Sequence, residues 1–367
     1  MGSAFSTVDL FSGCGGLTSG FLLANSPIAS FQPVSAVDSD LASAATYATN
    51  IGDHVFYGDI EEWLQGAHHP KSADVVLGGP PCQGFSSLGK QEVTDERNAL
   101  WRQYVEAVKT LQPKFFVLEN VREFLRSEQF DGLRAVCTPS RELGDYEIEF
   151  FILDSSLYGA PQRRRRAIVI GRRRELPPLG EPPQCEQRMT VKDAFCGLST
   201  EVQTTDLPNR STDLWERQVP GPFSGQEIHI TRSVTELSLN RYRSIPPGGN
   251  RFDIPYELLA PCWKKHRTGS GDVMGRLFWD KPSVTIRTEF YKPEKGRYLH
   301  PTEHRPITHL EAARLQGFPD DYQWFGTKHS IGKQIGNAVP LQLGKALGCH
   351  VLAALARSEG LSEELAA

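Results

Sequence analysis

The stretch STVDLFSGCGGL (Ser6–Leu17) runs from a short apolar strand through a glycine-rich loop into the start of a helix. Glycine in such a loop lets the backbone approach a ligand closely. The pattern alone is as compatible with a nicotinamide dinucleotide as with a nucleotide phosphate, although no Lys-Ser or Lys-Thr pair follows to hold phosphate groups. It therefore predicts a ligand-binding first unit of an α/β fold and leaves the ligand open.

Short apolar runs and helical patterns alternate along residues 5–170. The predicted helices are Leu41–Asn50 and Asn98–Leu111. The candidate strands are Ser6–Leu10, Val34–Val37, Asp74–Leu77, Phe115–Leu118, Glu147–Leu153 and Ala167–Ile170. This alternation predicts an α/β fold with a parallel sheet covered by helices on both faces.

The character of the chain changes near Arg172, where the sequence becomes rich in Pro, Gly, Thr and Arg. Pro177-Pro178 and Pro182-Pro183 are typical of a linker. Helical patterns return in His309–Leu315 and Leu341–Arg357. We therefore predict a first domain over 1–174, a smaller irregular domain over 175–304, and a segment 305–367 whose last helix returns to the first domain.

The charge is distributed unevenly along the 367 residues, although the formal net charge is only −4. Residues 160–300 hold 24 Lys and Arg against 16 Asp and Glu, whereas residues 1–159 hold 10 against 21. A basic region within an acidic chain indicates a nucleic-acid partner, and a solvated surface is the alternative. Seven scattered cysteines without a Cys-x-x-Cys pair argue against a zinc site or disulfide framework and for a reducing cytosol. No apolar run approaches the ~20 residues that span a membrane, so we expect no membrane partner.

A cysteine follows the apolar run Val75–Leu77 in Gly78-Gly79-Pro80-Pro81-Cys82-Gln83-Gly84-Phe85-Ser86. The two prolines stiffen a turn at the end of a predicted strand, where an α/β sheet carries its reactive groups. A thiolate there can attack a substrate and later leave. The alternative is that Cys82 is a small buried apolar residue.

Three carboxylates follow predicted strands or turns. Asp38 lies about twenty residues after the glycine loop, where an acid commonly binds ribose hydroxyls. Asp59 suits a ligand contact and equally a helix N-cap. Glu119 follows the apolar Phe115–Leu118, and we expect burial to let it hold and donate a proton near neutral pH, with helix capping as the alternative.

Four consecutive arginines, Arg163–Arg166, lead into the strand Ala167–Ile170. Side chains alternate along a strand, so Arg164 and Arg166 should share one face and Arg163 and Arg165 the other. Two guanidinium groups on one face can hold an anion or a base carbonyl.

Six sequence blocks, taken in order, resemble the bacterial DNA (cytosine-5)-methyltransferases of restriction-modification systems. The resemblance covers about two-thirds of the chain and leaves 175–300 as its variable part. The blocks are Asp9–Leu17, the Cys82 block, Glu119-Asn120-Val121, Gln162–Arg166, Arg305–Tyr322 and Gly332–Pro340. The resemblance implies a Rossmann-like S-adenosylmethionine-dependent methyltransferase sheet, with 175–304 as a target-recognition domain.

The family's chemistry, carried over by this resemblance, gives four residues a catalytic role. Cys82 would attack C6 of a cytosine flipped out of duplex DNA, and Glu119 would protonate or hydrogen-bond N3. Arg166 would hold the O2 carbonyl, and Arg164 would support the thiol and the flipped nucleotide. The methyl group would come from S-adenosylmethionine, with S-adenosylhomocysteine as the product.

The resemblance also implies the binding residues. The cofactor contacts are Phe11, Gly13, Gly15, Gly16, Leu17, Asp38, Ser39, Asp59, Ile60, Pro80, Leu100, Asn337 and Val339. The DNA contacts are Gln83, Ser86, Lys90, Arg241, Arg243, Arg251, Thr285 and Arg287, and Gln83–Ala99 resembles the family's mobile loop. One departure is Asp38-Ser39, because relatives often carry Glu and a bulky apolar residue there. No metal ligands are predicted.

Two other functions remain open at this stage. The same blocks occur in tRNA cytosine-5 methyltransferases, but their Cys-Phe-Thr motif is absent from this sequence. A non-catalytic DNA-binding regulator would not need Cys82, Glu119 and Arg166. We therefore expect a monomeric, sequence-specific DNA methyltransferase in the bacterial cytoplasm, associated with the nucleoid and paired with a separately acting restriction endonuclease. The sequence does not give the recognition site.

Overall fold

The computed structural model describes residues 2–66, 68–81, 100–265 and 268–361. The chain forms two compact units. The first comprises Met1–Tyr158, Arg164–Glu186 and Val339–Ala367, and the second comprises Gly159–Arg163 and Gln187–Ala338.

A seven-stranded sheet in the order β3-β2-β1-β4-β5-β7-β6 forms the centre of the first unit. Its strands are β1 (Ser3–Leu10), β2 (Ala29–Asp38), β3 (Val55–Tyr57), β4 (Val75–Gly78), β5 (Phe115–Val121), β6 (Tyr146–Asp154) and β7 (Arg165–Arg173). The first five are parallel. The predicted α/β fold is confirmed, and the sequence pattern missed only the three-residue β3 among these strands.

The prediction of a wholly parallel sheet was wrong at one end. Strand β7 runs antiparallel to both β5 and β6. Only ten residues separate the end of β6 at Asp154 from the start of β7 at Arg165. A parallel pair needs a crossover of about a dozen or more residues, so this connection permits a reversal and not a return across the sheet.

Helices cover both faces of the sheet. The helices of this unit are α1 (Gly16–Leu22), α2 (Leu41–Asn50), α3 (Ile60–Gln65), α4 (Leu100–Leu111), α5 (Glu128–Val136) and α11 (Leu341–Ser358). On one face, residues of α1 and α11 share a hydrophobic cluster with Phe115 and Val117 of β5. On the other, residues of α3, α4 and α5 share a second cluster with Phe116 and Leu118. Successive side chains of β5 therefore point to opposite faces and contribute to both hydrophobic cores. This is expected of a strand that is buried on both faces.

The second unit is less regular. It contains α6 (Val191–Ala194), β8 (Ser211–Leu214), β9 (Arg217–Pro220), α7 (Glu236–Ser244), α8 (Pro261–Lys265), α9 (His309–Leu315) and α10 (Lys328–Asn337). Strands β8 and β9 form an antiparallel pair. No single described helix is long and apolar enough to cross a membrane, and only α10 and α11 taken together across a bend reach that length and composition.

The unit boundaries differ from the predicted domain boundaries. Residues 305–338 lie in the second unit, where Arg314 of α9 donates to the carbonyls of Ala194 and Cys196. Residues 175–186 lie in the first unit, where the amides of Leu179 and Gly180 donate to the Glu149 carboxylate. These polar contacts join segments far apart in sequence, so composition alone did not reveal them.

Two glycines allow α1 and α11 to pack closely. A Cβ atom built at Gly20 would lie 2.6 Å from Cα of Gly344, a separation that real Cβ atoms essentially never show. A side chain at position 20 would therefore push α1, which follows the glycine loop, away from α11.

We expect Gly20→Ala to lower the free energy of unfolding by about 1–3 kcal/mol, because it overpacks this contact. Urea denaturation measures the change. Gly52→Ala is the control, since the nearest atoms to a Cβ there belong to the side chain of His54 and not to backbone. Equal stability of the two variants would contradict the close packing.

Candidate active site

The carboxyl ends of the parallel strands meet at one edge of the sheet. The strand order reverses direction between β1 and β4, which makes this edge the topological switch point where α/β proteins bind ligands. The glycine loop follows β1 here, and the turn Gly79–Pro81 follows β4. Because β7 is antiparallel, its first residues reach the same edge.

Glu119 and Arg166 form an ion pair at this edge. Arg166 Nε lies 2.8 Å from Glu119 Oε1, and both side chains are largely buried. Strand register explains the pair. Val121 of β5 lies opposite Arg166 of β7, and Glu119 lies two residues before Val121 on the same face of the strand. A Cβ atom built at Gly79 would lie 3.4 Å from Glu119 Oε2. The carboxylate therefore lies directly beside the turn that precedes Cys82.

Asn120 binds the same turn from β5. Its Nδ2 donates to the carbonyl oxygen of Pro80 over 2.9 Å, and its side chain is buried. The sequence pattern assigned no role to Asn120. The motif Glu119-Asn120-Val121 was the available signal, since an amide directly after the acid can reach a neighbouring turn.

The arginine run behaves as strand alternation predicts. Arg164 and Arg166 are buried or half-buried, whereas Arg163 and Arg165 are exposed. The backbone of Arg164 is paired with Ser155, whose Oγ accepts from Arg164 N and whose amide donates to Arg164 O. This pairing fixes the chain immediately before β7.

Four predicted residues lie outside the described part of the chain: Cys82, Gln83, Ser86 and Lys90. The same is true of the predicted mobile loop Gln83–Ala99. The structure describes the turn up to Pro81 and the chain again from Leu100, the partly buried first residue of α4.

Asp38 contacts the glycine loop from the end of β2. Its Oδ2 accepts from the amide of Gly13 over 2.7 Å, and its Oδ1 accepts from the amide of Asp40 over 2.9 Å. Burial raises the pKa of Asp38 to about 6. A Cβ atom built at Gly13 would meet nothing within 4 Å, so the space beside the loop is open. A carboxylate next to an open glycine loop fits an adenosyl cofactor.

The other predicted cofactor residues differ in their exposure to solvent. Gly15, Gly16, Leu17, Ile60, Pro80 and Val339 are buried, Phe11 is half-buried, and Ser39 is exposed. Asp59 caps α3, with Oδ1 accepting from the amide of Glu61 over 2.8 Å, so the N-cap alternative is realised for one of its oxygens. Asn337 ends α10 in the second unit.

The predicted DNA contacts of the second unit differ in availability. Arg243 and Arg287 are exposed. Arg241 donates from Nε to the carbonyl of Leu258, and Thr285 donates from Oγ1 to the carbonyl of Arg163. Arg251 is 8% exposed and donates to the carbonyl of Thr268. Arg243 and Arg287 therefore remain the most accessible of these side chains for a phosphate group.

A family model described as C-5 cytosine-specific DNA methylase matches residues 5–352. The chain belongs to this family. The predicted DNA (cytosine-5)-methyltransferase class is thereby confirmed, together with the Rossmann-like methyltransferase fold.

Bacterial relatives match this methylase over most of their length. The Type II methyltransferase M1.HphI of Haemophilus parahaemolyticus is 34% identical over 359 residues, 94% of this chain and 86% of the relative. The Type II methylase M.HgiDII of Herpetosiphon aurantiacus is 30% identical and covers 97% of this chain and 96% of its own. A crystal structure of a prophage-encoded DNA modification methyltransferase from E. coli superposes with a TM-score of 0.70 at 27% identity, covering 95% of this chain and 99% of the other.

Asp9 is a buried carboxylate of this methylase beside the glycine loop. Burial raises its pKa to about 7, whereas an unfolded aspartate titrates near about 3.9. Between about pH 4 and 7 the folded protein therefore holds a proton that the unfolded chain releases. The contribution of Asp9 to the free energy of unfolding falls as pH rises through this window.

We expect the stability of the wild-type protein relative to Asp9→Asn to decrease from about pH 4 to about pH 7 and to level off above it, because Asn does not titrate. Urea unfolding of both proteins across this range measures the difference. A difference that is independent of pH would contradict the raised pKa of Asp9.

Proposed function

We propose that this methylase transfers a methyl group from S-adenosylmethionine to C5 of a flipped cytosine in duplex DNA through a covalent bond to Cys82. The observation that carries the proposal is the Glu119–Arg166 ion pair beside the turn Gly79–Pro81. In sequence, Cys82 directly follows the two prolines of that turn. An acid and a cation for one ring therefore lie beside the turn that leads in sequence to the proposed nucleophile.

The ring chemistry requires these three groups. When the Cys82 thiolate forms a bond to C6, an electron pair of the ring moves to N3. A proton bound at N3 neutralises the negative charge that develops there. Glu119 would supply that proton, and Arg166 would bind the O2 carbonyl while keeping the Glu119 carboxylate in place. The pyrimidine then becomes nucleophilic at C5. After C5 is methylated, water would take the C5 proton and the electrons of that C–H bond would form the C5–C6 double bond. The sulfur–C6 bond would break to return the Cys82 thiolate, and N3 would give its proton back to Glu119.

The cofactor residues would bind the cofactor and would not take part in forming or breaking bonds. S-adenosylmethionine supplies an electrophilic methyl group when it is bound. Asp38 would hold the ribose hydroxyls and the Gly13 amide together, with Phe11, Gly15, Gly16 and Leu17 forming the loop around it. Asp59 and Ile60 would contact the adenine, and Pro80, Leu100 and Val339 would close the site.

The second unit would read the DNA sequence. Residues 175–186 of the predicted target-recognition domain lie in the first unit and are not part of this reading surface. Its exposed Arg243 and Arg287 suit phosphate contacts, which position the protein without specifying a base. The bacterial relatives are Type II modification enzymes, which supports a role in protecting host DNA in the bacterial cytoplasm from a separately acting endonuclease. We propose a monomer as the active form.

We expect the protein to incorporate tritium from methyl-labelled S-adenosylmethionine into duplex DNA, and bisulfite sequencing of the product to show one recurrent sequence context. Cys82→Ala should abolish incorporation, whereas Cys349→Ser, which changes an exposed thiol on α11, should retain it. Incorporation into tRNA and not into DNA would contradict the proposed substrate. Equal incorporation by Cys82→Ala would contradict the covalent mechanism.

We also expect a stable covalent adduct with duplex DNA that contains 5-fluorocytosine, because fluorine at C5 removes the proton that must leave. Cys82→Ser should form no adduct. Glu119→Gln should slow adduct formation and turnover by about 10²–10⁴-fold, since glutamine cannot transfer a proton to N3. Denaturing electrophoresis measures the adduct and filter binding measures DNA affinity. Wild-type rates for Glu119→Gln would remove Glu119 from the mechanism.

A further inference from the structure

The loop between β1 and α1 has an unusual backbone. Three of its five residues are left-handed, with φ of 57° at Phe11, 55° at Gly13 and 84° at Gly15. Glycine adopts this conformation readily, but phenylalanine does so only under constraint. A backbone of this kind persists where its surroundings hold it. The contacts that hold this loop therefore set the shape of the proposed cofactor site, even where they face away from it.

One contact connects the two ends of the loop. Thr18 Oγ1 on α1 donates to Asp9 Oδ2 on β1 over 2.5 Å. The backbone amide of Thr18 also binds this carboxylate. Asp9 is 3% exposed and Thr18 is 1% exposed, so both donors and their acceptor are shielded from water. A buried carboxyl group that accepts two hydrogen bonds from one residue fixes the separation between the strand and the helix.

A second contact holds the middle of the loop. The Gly13 amide donates to Asp38, and the Ser12 amide donates to the carbonyl of Val37 over 3.1 Å. These bonds depend on where β1 and α1 place the loop, because only five residues separate Leu10 from Gly16. Loss of the Asp9–Thr18 contact would let α1 shift and move Gly13 relative to Asp38.

Among the described titratable groups, none supplies a positive charge that could hold Asp9 in place of the Thr18 donors, although the Tyr47 hydroxyl also bonds to Thr18. The titratable groups that interact with Asp9 are Asp38 on β2, Cys14 in the loop, Tyr47 on α2 and Tyr104 on α4. None of these described groups is a cation. On the opposite side of α1, Gly20 packs against Gly344 of α11. The helix is thus held by backbone packing on one side and by the Thr18 donors on the other.

We propose that Asp9 and Thr18 are positioning residues that keep the Phe11–Gly15 loop in its cofactor-binding shape without contacting the cofactor. The inference rests on the proposed use of S-adenosylmethionine and extends it to two buried side chains behind the loop. Their effect on the reaction is transmitted through the backbone from β1 and α1 to the Gly13 amide and the Asp38 carboxylate.

The test compares Thr18→Val, which removes only the hydroxyl at nearly constant volume, with Thr18→Ser, which keeps the donor. Isothermal titration with S-adenosylhomocysteine measures the Kd of each variant at a temperature where circular dichroism shows both to be folded. We expect Thr18→Val to weaken binding by about tenfold or more, and Thr18→Ser to bind like the wild type. Kinetics should show a raised KM for S-adenosylmethionine, with kcat at saturating cofactor and the Kd for DNA near wild-type values.

Asp9→Asn is the second variant, for the case in which Thr18→Val does not fold. It keeps one acceptor oxygen for the Thr18 hydroxyl and presents an amide group in place of the other, so its affinity should fall between those of the wild type and Thr18→Val. A folded Thr18→Val that binds S-adenosylhomocysteine as the wild type does would overturn the inference. Thr18→Ser binding as weakly as Thr18→Val would overturn it too. Absence of binding by the wild-type protein would instead refute the proposed cofactor.

Discussion

The antiparallel pairing of β7 with β5 is the constraint on which the candidate active site depends. In this register Val121 at the end of β5 faces Arg166 near the start of β7. A parallel β7 would carry its first residues to the opposite edge of the sheet, roughly 20 Å away for strands of this length. The reversal is therefore what brings an arginine to the edge where Glu119 and the Pro80-Pro81 turn already lie.

The resulting ion pair is costly to disturb. With side chains only 11% and 15% exposed, Glu119 and Arg166 are largely removed from water. Removal of one partner from a buried pair typically costs about 3–5 kcal/mol, because the other charge is left uncompensated. Apolar residues of β5 belong to hydrophobic clusters on both faces of the sheet, which fixes the position of the strand that carries Glu119. A rigid sheet thus holds an acid and a cation at a fixed separation beside a proline-stiffened turn.

Local sequence patterns predicted much of the fold. The bounds of α2 and α9 agree with the expected ranges, and six of the seven strands were found, because these segments combine clear periodicity with clear ends. The direction of β7 was not predicted, since a strand's apolar pattern is the same in either direction. The inclusion of 305–338 in the second unit also depends on contacts between distant segments, such as Arg314 with Ala194 and Cys196. The proposed roles of Cys82, Glu119 and Arg166 come from the motif resemblance. That resemblance did not predict the bond from Asn120 to Pro80 or the bond from Thr18 to Asp9.

A double-mutant cycle on Glu119 and Arg166 tests most directly whether the two side chains act as one unit. Single-turnover methyl transfer to duplex DNA is measured for the wild type, Glu119→Gln, Arg166→Gln and the double variant. The ion pair predicts strong non-additivity, with the double variant little slower than the slower single variant. If the two rate losses simply multiply, the side chains act independently, and the reversal of β7 does not serve the chemistry in the way described.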